Sequence, residues 1–105
     1  MTKEQLKEYR SIKSELISLK NLCRRLEAVN DPRLKKRYKK LCDKLAKELQ
    51  AIENAIETLS PTERTIIRLR YIEGLSWQAI CYRVGYEWAA THRKHASALA
   101  KLEKL

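Results

Sequence analysis

The sequence predicts an all-α protein in which a long antiparallel helical hairpin is followed by a three-helix module. Two observations favour this class. Only two glycines and two prolines occur among 105 residues, whereas a many-stranded β fold needs turn residues every ~8–12 positions. Apolar residues also recur at spacings of three and four along most of the chain, as they do on one face of an α-helix. We therefore expect a few long helices and no sheet.

The first helix is predicted from an apolar pattern that begins at Tyr9. Spacings of three and four alternate there, which is the a/d pattern of a helix that packs along its length, as in a coiled coil. The pattern comprises Tyr9, Ile12, Leu16, Leu19, Cys23 and Leu26. A second helix follows directly, because Asp31 can cap it and Pro32 at its first position loses no hydrogen bond. It stays amphipathic as far as Leu59.

Residues 1–58 are predicted to form the hairpin and to serve dimerisation. Two helices bury only one seam against each other, so a second copy should cover the remaining apolar stripe. This stripe runs through Ile12, Leu16, Leu19 and Leu45. We expect a homodimer held together by a four-helix bundle.

Residues 59–105 are predicted to contain the three shorter helices. Ser60 and Glu63 have the spacing of a capping box, so a helix should begin at Pro61 and stop at Gly74 in a left-handed conformation. The next helix, residues 77–83, is short and is capped by Ser76.

Gly85 ends the short helix, and a final helix should run from about Glu87 to Lys104. A short helix, a glycine turn and a second helix make a helix-turn-helix, whose second helix enters the major groove of DNA.

The final helix should place its DNA-reading side chains opposite its buried ones. Thr91, Leu99 and Leu102 are expected to face inward, which turns Trp88, Ala89, His92 and Arg93 outward. Arg93 can bind guanine, His92 can donate to a base edge or a phosphate, and Ala89 can contact a thymine methyl group. The predicted DNA-binding residues of this module are Ser76, Trp77, Gln78, Arg83, Trp88, Ala89, His92, Arg93 and Lys94.

Trp77 and Trp88 each begin a helix at a position that is expected to be exposed. They could pack on each other or on the hairpin, or they could lie at the DNA surface. Both interpretations remain open at the level of sequence.

The charge of the chain indicates a polyanionic partner. Lys and Arg number 23 against 13 Asp and Glu, which gives +10 at pH 7 and favours nucleic acid ahead of a membrane surface. Residues 20–40 hold nine basic side chains against Glu27 and Asp31, a net charge of +7 at the tip of the hairpin. We predict a second, sequence-blind nucleic-acid contact there, made by Lys35, Lys36, Lys39 and Lys40.

No pattern in the sequence indicates catalysis. His92 and His95 are three residues apart, but no cysteine or carboxylate stands nearby at a zinc-site spacing. The glycines offer no phosphate-binding loop, and no nucleophile motif occurs. We expect no enzymatic activity, no cofactor, no metal and no small-molecule substrate.

The three cysteines, Cys23, Cys42 and Cys81, fit neither a disulfide framework nor a metal motif and are expected to be reduced structural thiols. The first residues are charged, and no apolar run approaches the ~18 residues that span a bilayer. These observations predict a cytoplasmic protein that is not bound to a membrane.

The stretch from Leu59 to Tyr86 resembles region four of sigma-70-type RNA polymerase sigma factors. It carries the E-R start at Glu63, L-R-Y ending at Tyr71 and G-L-S starting at Gly74. The closing A-L-x-K-L pattern stands at residues 98–102, so the resemblance extends from Leu59 to the end. The resemblance implies promoter-type DNA recognition, with or without contact to RNA polymerase.

The long helical first half, together with His95, is most similar to small phage and prophage transcriptional regulators of the ArpU and late-activator type. The sequence departs from the pattern of region four at Ala79, Glu87, Thr91 and Lys94. LuxR-type helix-turn-helix domains share much of the same pattern. The alternative function is a helical adaptor that uses the same module to bind RNA or another protein.

Overall fold

The computed structural model describes all 105 residues, and its regular secondary structure is entirely helical. The five α-helices are α1 (Lys3–Leu26), α2 (Pro32–Glu57), α3 (Pro61–Ile67), α4 (Trp77–Val84) and α5 (Trp88–Glu103), and a π-helical turn (Arg68–Ile72) continues α3. The predicted all-α class is confirmed. None of the helices combines the length and the apolarity that crossing a bilayer requires.

Most helix ends lie where local sequence signals predict them. Asp31 Oδ1 accepts a hydrogen bond of 3.2 Å from the backbone of Leu34 at the start of α2. Ser76 Oγ caps α4 in the same way. Gly74 and Gly85 have φ angles of 72° and 73°, which is the left-handed conformation that glycine adopts at little cost.

The capping box predicted at the start of α3 is wrong. The side chain of Ser60 accepts no backbone hydrogen bond, and its hydroxyl instead donates to the Glu63 carboxylate. Glu63 is buried and also binds Lys101 of α5. A buried carboxylate needs hydrogen-bond donors, so Ser60 serves the carboxylate rather than the backbone. The helix still begins at Pro61.

The antiparallel hairpin is confirmed by side-chain pairs that join α1 and α2 in opposite chain directions. Tyr9 donates to Glu53 near one end of the hairpin, and Cys23 contacts Cys42 near the other. The α1 helix has 24 residues, which corresponds to roughly 36 Å at 1.5 Å per residue. The turn between α1 and α2 therefore lies far from the first residues of α1.

One core joins the open end of the hairpin to the C-terminal helices. Leu6 of α1 and Ile56 of α2 are fully buried in the same cluster as Ile67 and Leu102. A smaller cluster of Ile66, Leu69 and Ile80 joins α3, the π-helical turn and α4. The hairpin thus supports the module directly, across the boundary drawn after residue 58. The division of function between residues 1–58 and 59–105 stays a prediction.

The hairpin covers part of the apolar stripe that a second copy was expected to cover. Leu16 is buried within the single chain, and Ile12, Leu19 and Leu45 are half-buried. The large apolar side chains left exposed on α1 and α2 are instead Ile17 and Leu41. The homodimer stays a prediction, and it would use these two side chains as well as the half-buried stripe.

Candidate nucleic-acid interface

Helices α4 and α5 with the turn between them form the predicted helix-turn-helix. Gly85 donates its N–H to Cys81 O at 3.0 Å and turns the chain with its positive φ. No atom lies within 4 Å of the position that a Cβ would take at Gly85, so the backbone conformation alone favours glycine there. The Glu87 side chain makes no capping hydrogen bond at the start of α5.

Thr91 fixes the rotation of α5 against α4. It is fully buried, and its hydroxyl donates to Glu87 O at 2.9 Å. The thiol of Cys81 lies 3.4 Å from the same hydroxyl, where the two helices cross. Ala98 and Leu102 on the same side of α5 enter the main core. The opposite side faces solvent, as predicted for Ala89 and Arg93, which are both exposed.

His92 does not face outward as the sequence predicts. Its ring lies between two indoles, with centroids 4.3 Å from Trp77 and 4.5 Å from Trp88. Its Nε2 is buried and has no hydrogen-bond partner, so this nitrogen cannot donate to a base or a phosphate in this conformation. The helical period places His92 one turn after Trp88, but it does not reveal that Trp77 of α4 closes over the ring.

Trp77 packs inside the module, so the expectation that it is exposed is wrong. Its ring contacts His95 at a centroid distance of 4.6 Å, and the guanidinium carbon of Arg70 lies 4.9 Å from the ring centre. Trp77 packs on His92 and His95, which are not the partners expected for it from the sequence. Trp88 differs, because 55% of its surface stays exposed.

His95 belongs to the interior of the module. Its Nε2 lies 2.7 Å from the Tyr71 hydroxyl, and the pair is buried. Burial lowers the pKa of His95 to about 4, with help from the positive charges of Lys3, His92 and Arg70. The imidazole is therefore neutral at pH 7 and links α5 to the π-helical turn. No group of three or more histidine, cysteine or acidic side chains is arranged to hold a metal ion.

A groove beside the outer face of α5 carries three of the eight basic side chains of residues 61–105. It has a volume of about 370 Å³ and lies between the start of α3 and α5. Arg93, Lys94 and Lys101 line it together with Glu63. Since Lys101 pairs with Glu63, Arg93 and Lys94 supply the charge that remains for an anion. Lys94 also lies over the Tyr86 ring, with its Nζ 5.0 Å from the ring centre.

The remaining predicted residues divide into two groups. Ser76, which caps α4, and Gln78 and Arg83 on α4 are exposed. The four lysines of the hairpin tip, Lys35, Lys36, Lys39 and Lys40, are exposed at the other end of the hairpin. The first group therefore belongs to the helix-turn-helix, and the tip lysines belong to the far end of the hairpin.

Two exposed tyrosines of the module were missed at the level of sequence. Tyr82 on α4 is 89% exposed, and Tyr86 in the turn is 39% exposed. Tyr82 follows Gln78 by four residues and so shares its face of the helix. That spacing could have identified Tyr82 as part of the interface.

Comparison with known proteins matches part of the chain to one family model. Residues 49–85 match the family model for sigma-70, region 4. The match begins in the last turns of α2, ten residues before the resemblance seen in the sequence, and it ends at Gly85, before α5. No curated protein and no solved structure matches the chain significantly. The chain is thus an all-α protein whose residues 49–85 are similar to sigma-70 region 4.

Proposed function

We propose that the protein is a sequence-specific transcriptional regulator that reads promoter or operator DNA through α5. The observation that carries the proposal is the match of residues 49–85 to sigma-70 region 4. A helix follows whose outer face is exposed at Trp88, Ala89 and Arg93. Buried Thr91 fixes the face that α5 presents. A helix held in this way can lie in the major groove while the helix before it crosses the DNA backbone.

Arg93 is the proposed base-reading residue of α5. It is exposed on the outer face of the helix, and an arginine can donate two hydrogen bonds to guanine O6 and N7. Ala89 lies one turn earlier and is small enough to meet a thymine methyl group. His92 has a supporting role in this proposal, because its packed ring positions the exposed indole of Trp88.

Residues of α4 and the hairpin tip are proposed to bind the DNA backbone. Ser76, Gln78 and Arg83 would contact phosphates near the groove that α5 enters. The hairpin tip supplies a second contact that does not depend on sequence. Residues 61–105 carry eight basic and four acidic side chains, a net +4, which is less than the +7 of residues 20–40.

Further parts of the proposal rest on the sequence. The resemblance to phage and prophage regulators favours an origin in a phage or prophage, and it leaves contact with RNA polymerase as a second way of acting on a promoter. A regulator of this kind would work in the cytoplasm, where its DNA is. The hairpin would join two copies, so that each dimer presents two α5 helices to DNA.

The second candidate function is an adaptor that binds structured RNA or a partner protein. The observation that favours it is the charge of the tip, which is larger than that of the module and lies at the far end of the hairpin. An A-form RNA helix would be bound by its shape and phosphates, without base reading in the major groove.

Selection from a random duplex pool separates the two functions. A regulator enriches a defined motif, and its affinity for this motif exceeds that for a scrambled duplex by 10³-fold or more at ~150 mM salt. An adaptor enriches no motif and binds hairpin RNA at least as tightly as DNA. The second result would overturn the proposed function.

A further inference from the structure

Two cysteines that are distant in the sequence meet across the hairpin. The Sγ atoms of Cys23 on α1 and Cys42 on α2 lie 3.8 Å apart. Both thiols are free, and both side chains are half-buried. Their separation of 19 residues fits no cysteine motif, so only the packing of the two helices reveals the pair. Closing the gap to the ~2.05 Å of a disulfide requires each sulfur to move by roughly 0.9 Å.

The surroundings of the pair are strongly basic. A cavity of about 430 Å³ opens beside both thiols. Four basic side chains line it, namely Lys20, Arg24, Lys35 and Lys39, against one carboxylate, that of Glu27. This charge repels metal cations and attracts anions. The site therefore suits an anionic reagent that acts on thiols.

We propose that Cys23 and Cys42 form a redox-modifiable dithiol that closes into a disulfide by exchange with an anionic low-molecular-weight disulfide. One thiolate attacks the reagent, which forms a mixed disulfide and releases one equivalent of reagent thiol. The second cysteine attacks the mixed disulfide and releases the other equivalent. The two protein thiols are oxidised by two electrons, the reagent is reduced to two thiols, and the two protons lost by the cysteines pass to them.

Burial raises the pKa of the Cys42 thiol, and its contact with Cys23 raises it further. Either cysteine can attack the reagent first, because the other sulfur lies 3.8 Å away and can then resolve the mixed disulfide.

Oxidation would fix the hairpin tip. The ring closed by the disulfide spans residues 23–42, which include the turn between α1 and α2 and all four lysines of the tip. Cross-linking a loop of this length restricts the unfolded chain. The oxidised protein should therefore unfold at a higher temperature, by at least roughly 5 °C.

The test uses the full chain, treated with glutathione disulfide as an anionic reagent. We expect the number of free thiols to fall from three to one, with the loss of two hydrogen atoms in the intact mass and a Cys23–Cys42 cross-link in the peptide map. Cys81 provides the matched control, because its thiol contacts Thr91 rather than another cysteine. The Cys81→Ser variant should form the same cross-link, and dithiothreitol should reverse both the cross-link and the thermal shift.

Single variants test whether both cysteines are needed. Cys42→Ser and Cys23→Ser should each stop at a glutathione adduct on the remaining cysteine of the pair and form no cross-link within the chain. A folded protein that keeps three free thiols, that stops at a mixed disulfide, or that cross-links only between chains would overturn the proposal.

Discussion

Lys101 of α5 binds the buried carboxylate of Glu63 in α3, with 2.6 Å between Nζ and Oε1. Burial alone would raise the pKa of Glu63, but hydrogen bonds from Lys101 and Ser60 outweigh it and lower the pKa to about 2. The pair joins the helix that starts the module to the helix proposed to read DNA. The position of α5 therefore depends on the ionised form of Glu63.

Glu63→Gln should destabilise the fold at pH 7 by on the order of 2 kcal/mol, because it removes a buried charged partner of Lys101. The folded pKa lies below the ordinary value of 4.5, so the carboxylate stabilises the folded state above pH 4.5 and loses this effect as the pH falls toward 2. Urea unfolding at pH 7, 4 and 3 measures the free energy of unfolding of the wild type and of the Glu63→Gln variant. Glu103→Gln, an exposed change on α5, is the control. A Glu63→Gln variant with the wild-type pH dependence below pH 4.5 would contradict the assignment.

His95→Gln should reduce the change in the free energy of unfolding between pH 7 and pH 5. The folded pKa of His95 is about 4, against the ordinary 6.5, so the unfolded chain takes up the proton first as the pH falls. Wild-type stability should therefore decrease by about 2 kcal/mol between pH 7 and pH 5. Urea unfolding at pH 7 and pH 5 measures this decrease in the wild type and in the His95→Gln variant. Glu63→Gln is the control and should show the same decrease as the wild type. If His95→Gln loses as much stability as the wild type in this range, another group is responsible.

Changing the tip lysines Lys35, Lys36, Lys39 and Lys40 to glutamine should weaken DNA binding about equally on all sequences. Each lost phosphate contact reduces the slope of log K against log salt by roughly 0.9 on B-DNA. Binding titrations at several salt concentrations should show a slope smaller by several units and an unchanged base preference. The control variant changes four exposed lysines outside the tip to glutamine and so loses the same charge. These are Lys7, Lys13, Lys47 and Lys104. If both variants change the slope equally, the effect comes from net charge and not from the tip.

The hairpin should hold two copies together in solution. Light scattering at micromolar concentration should return about twice the monomer mass of 12.4 kDa. Ile17→Lys and Leu41→Lys should shift the mass toward the monomer, since these side chains are the large apolar groups left exposed on α1 and α2. A wild-type mass near that of one chain would contradict the predicted dimer.

Local signals predicted the helices well. Asp31, Ser76, Gly74 and Gly85 act on their own backbone or on residues three positions away, so their effects can be read from short stretches of sequence. Ser60 is the exception among these signals. Ser60 was expected to cap the backbone of α3, but it binds the Glu63 carboxylate instead. That carboxylate also binds Lys101, which is 38 residues away and so lies outside any local sequence signal.

The features that the sequence did not predict depend on contacts between helices. Helical period alone places His92 outward, but Trp77 from another helix covers its ring. Cys23 and Cys42 meet because the register of α1 against α2 aligns them, and no spacing rule encodes that register. The exposure of Arg93 was predictable because buried Thr91, two residues away on the same helix, fixes the orientation of α5.

The measurement that tests the central claim most directly compares Arg93→Ala with wild type on the selected duplex and on variants of it at each base pair, at one fixed salt concentration. Losing a bidentate contact to guanine should cost about 1–3 kcal/mol and relax preference at one position only. Lys104→Ala, which removes a charge at the far end of α5, should keep the full preference. An Arg93→Ala protein with unchanged affinity and preference would contradict the claim that α5 reads DNA through Arg93.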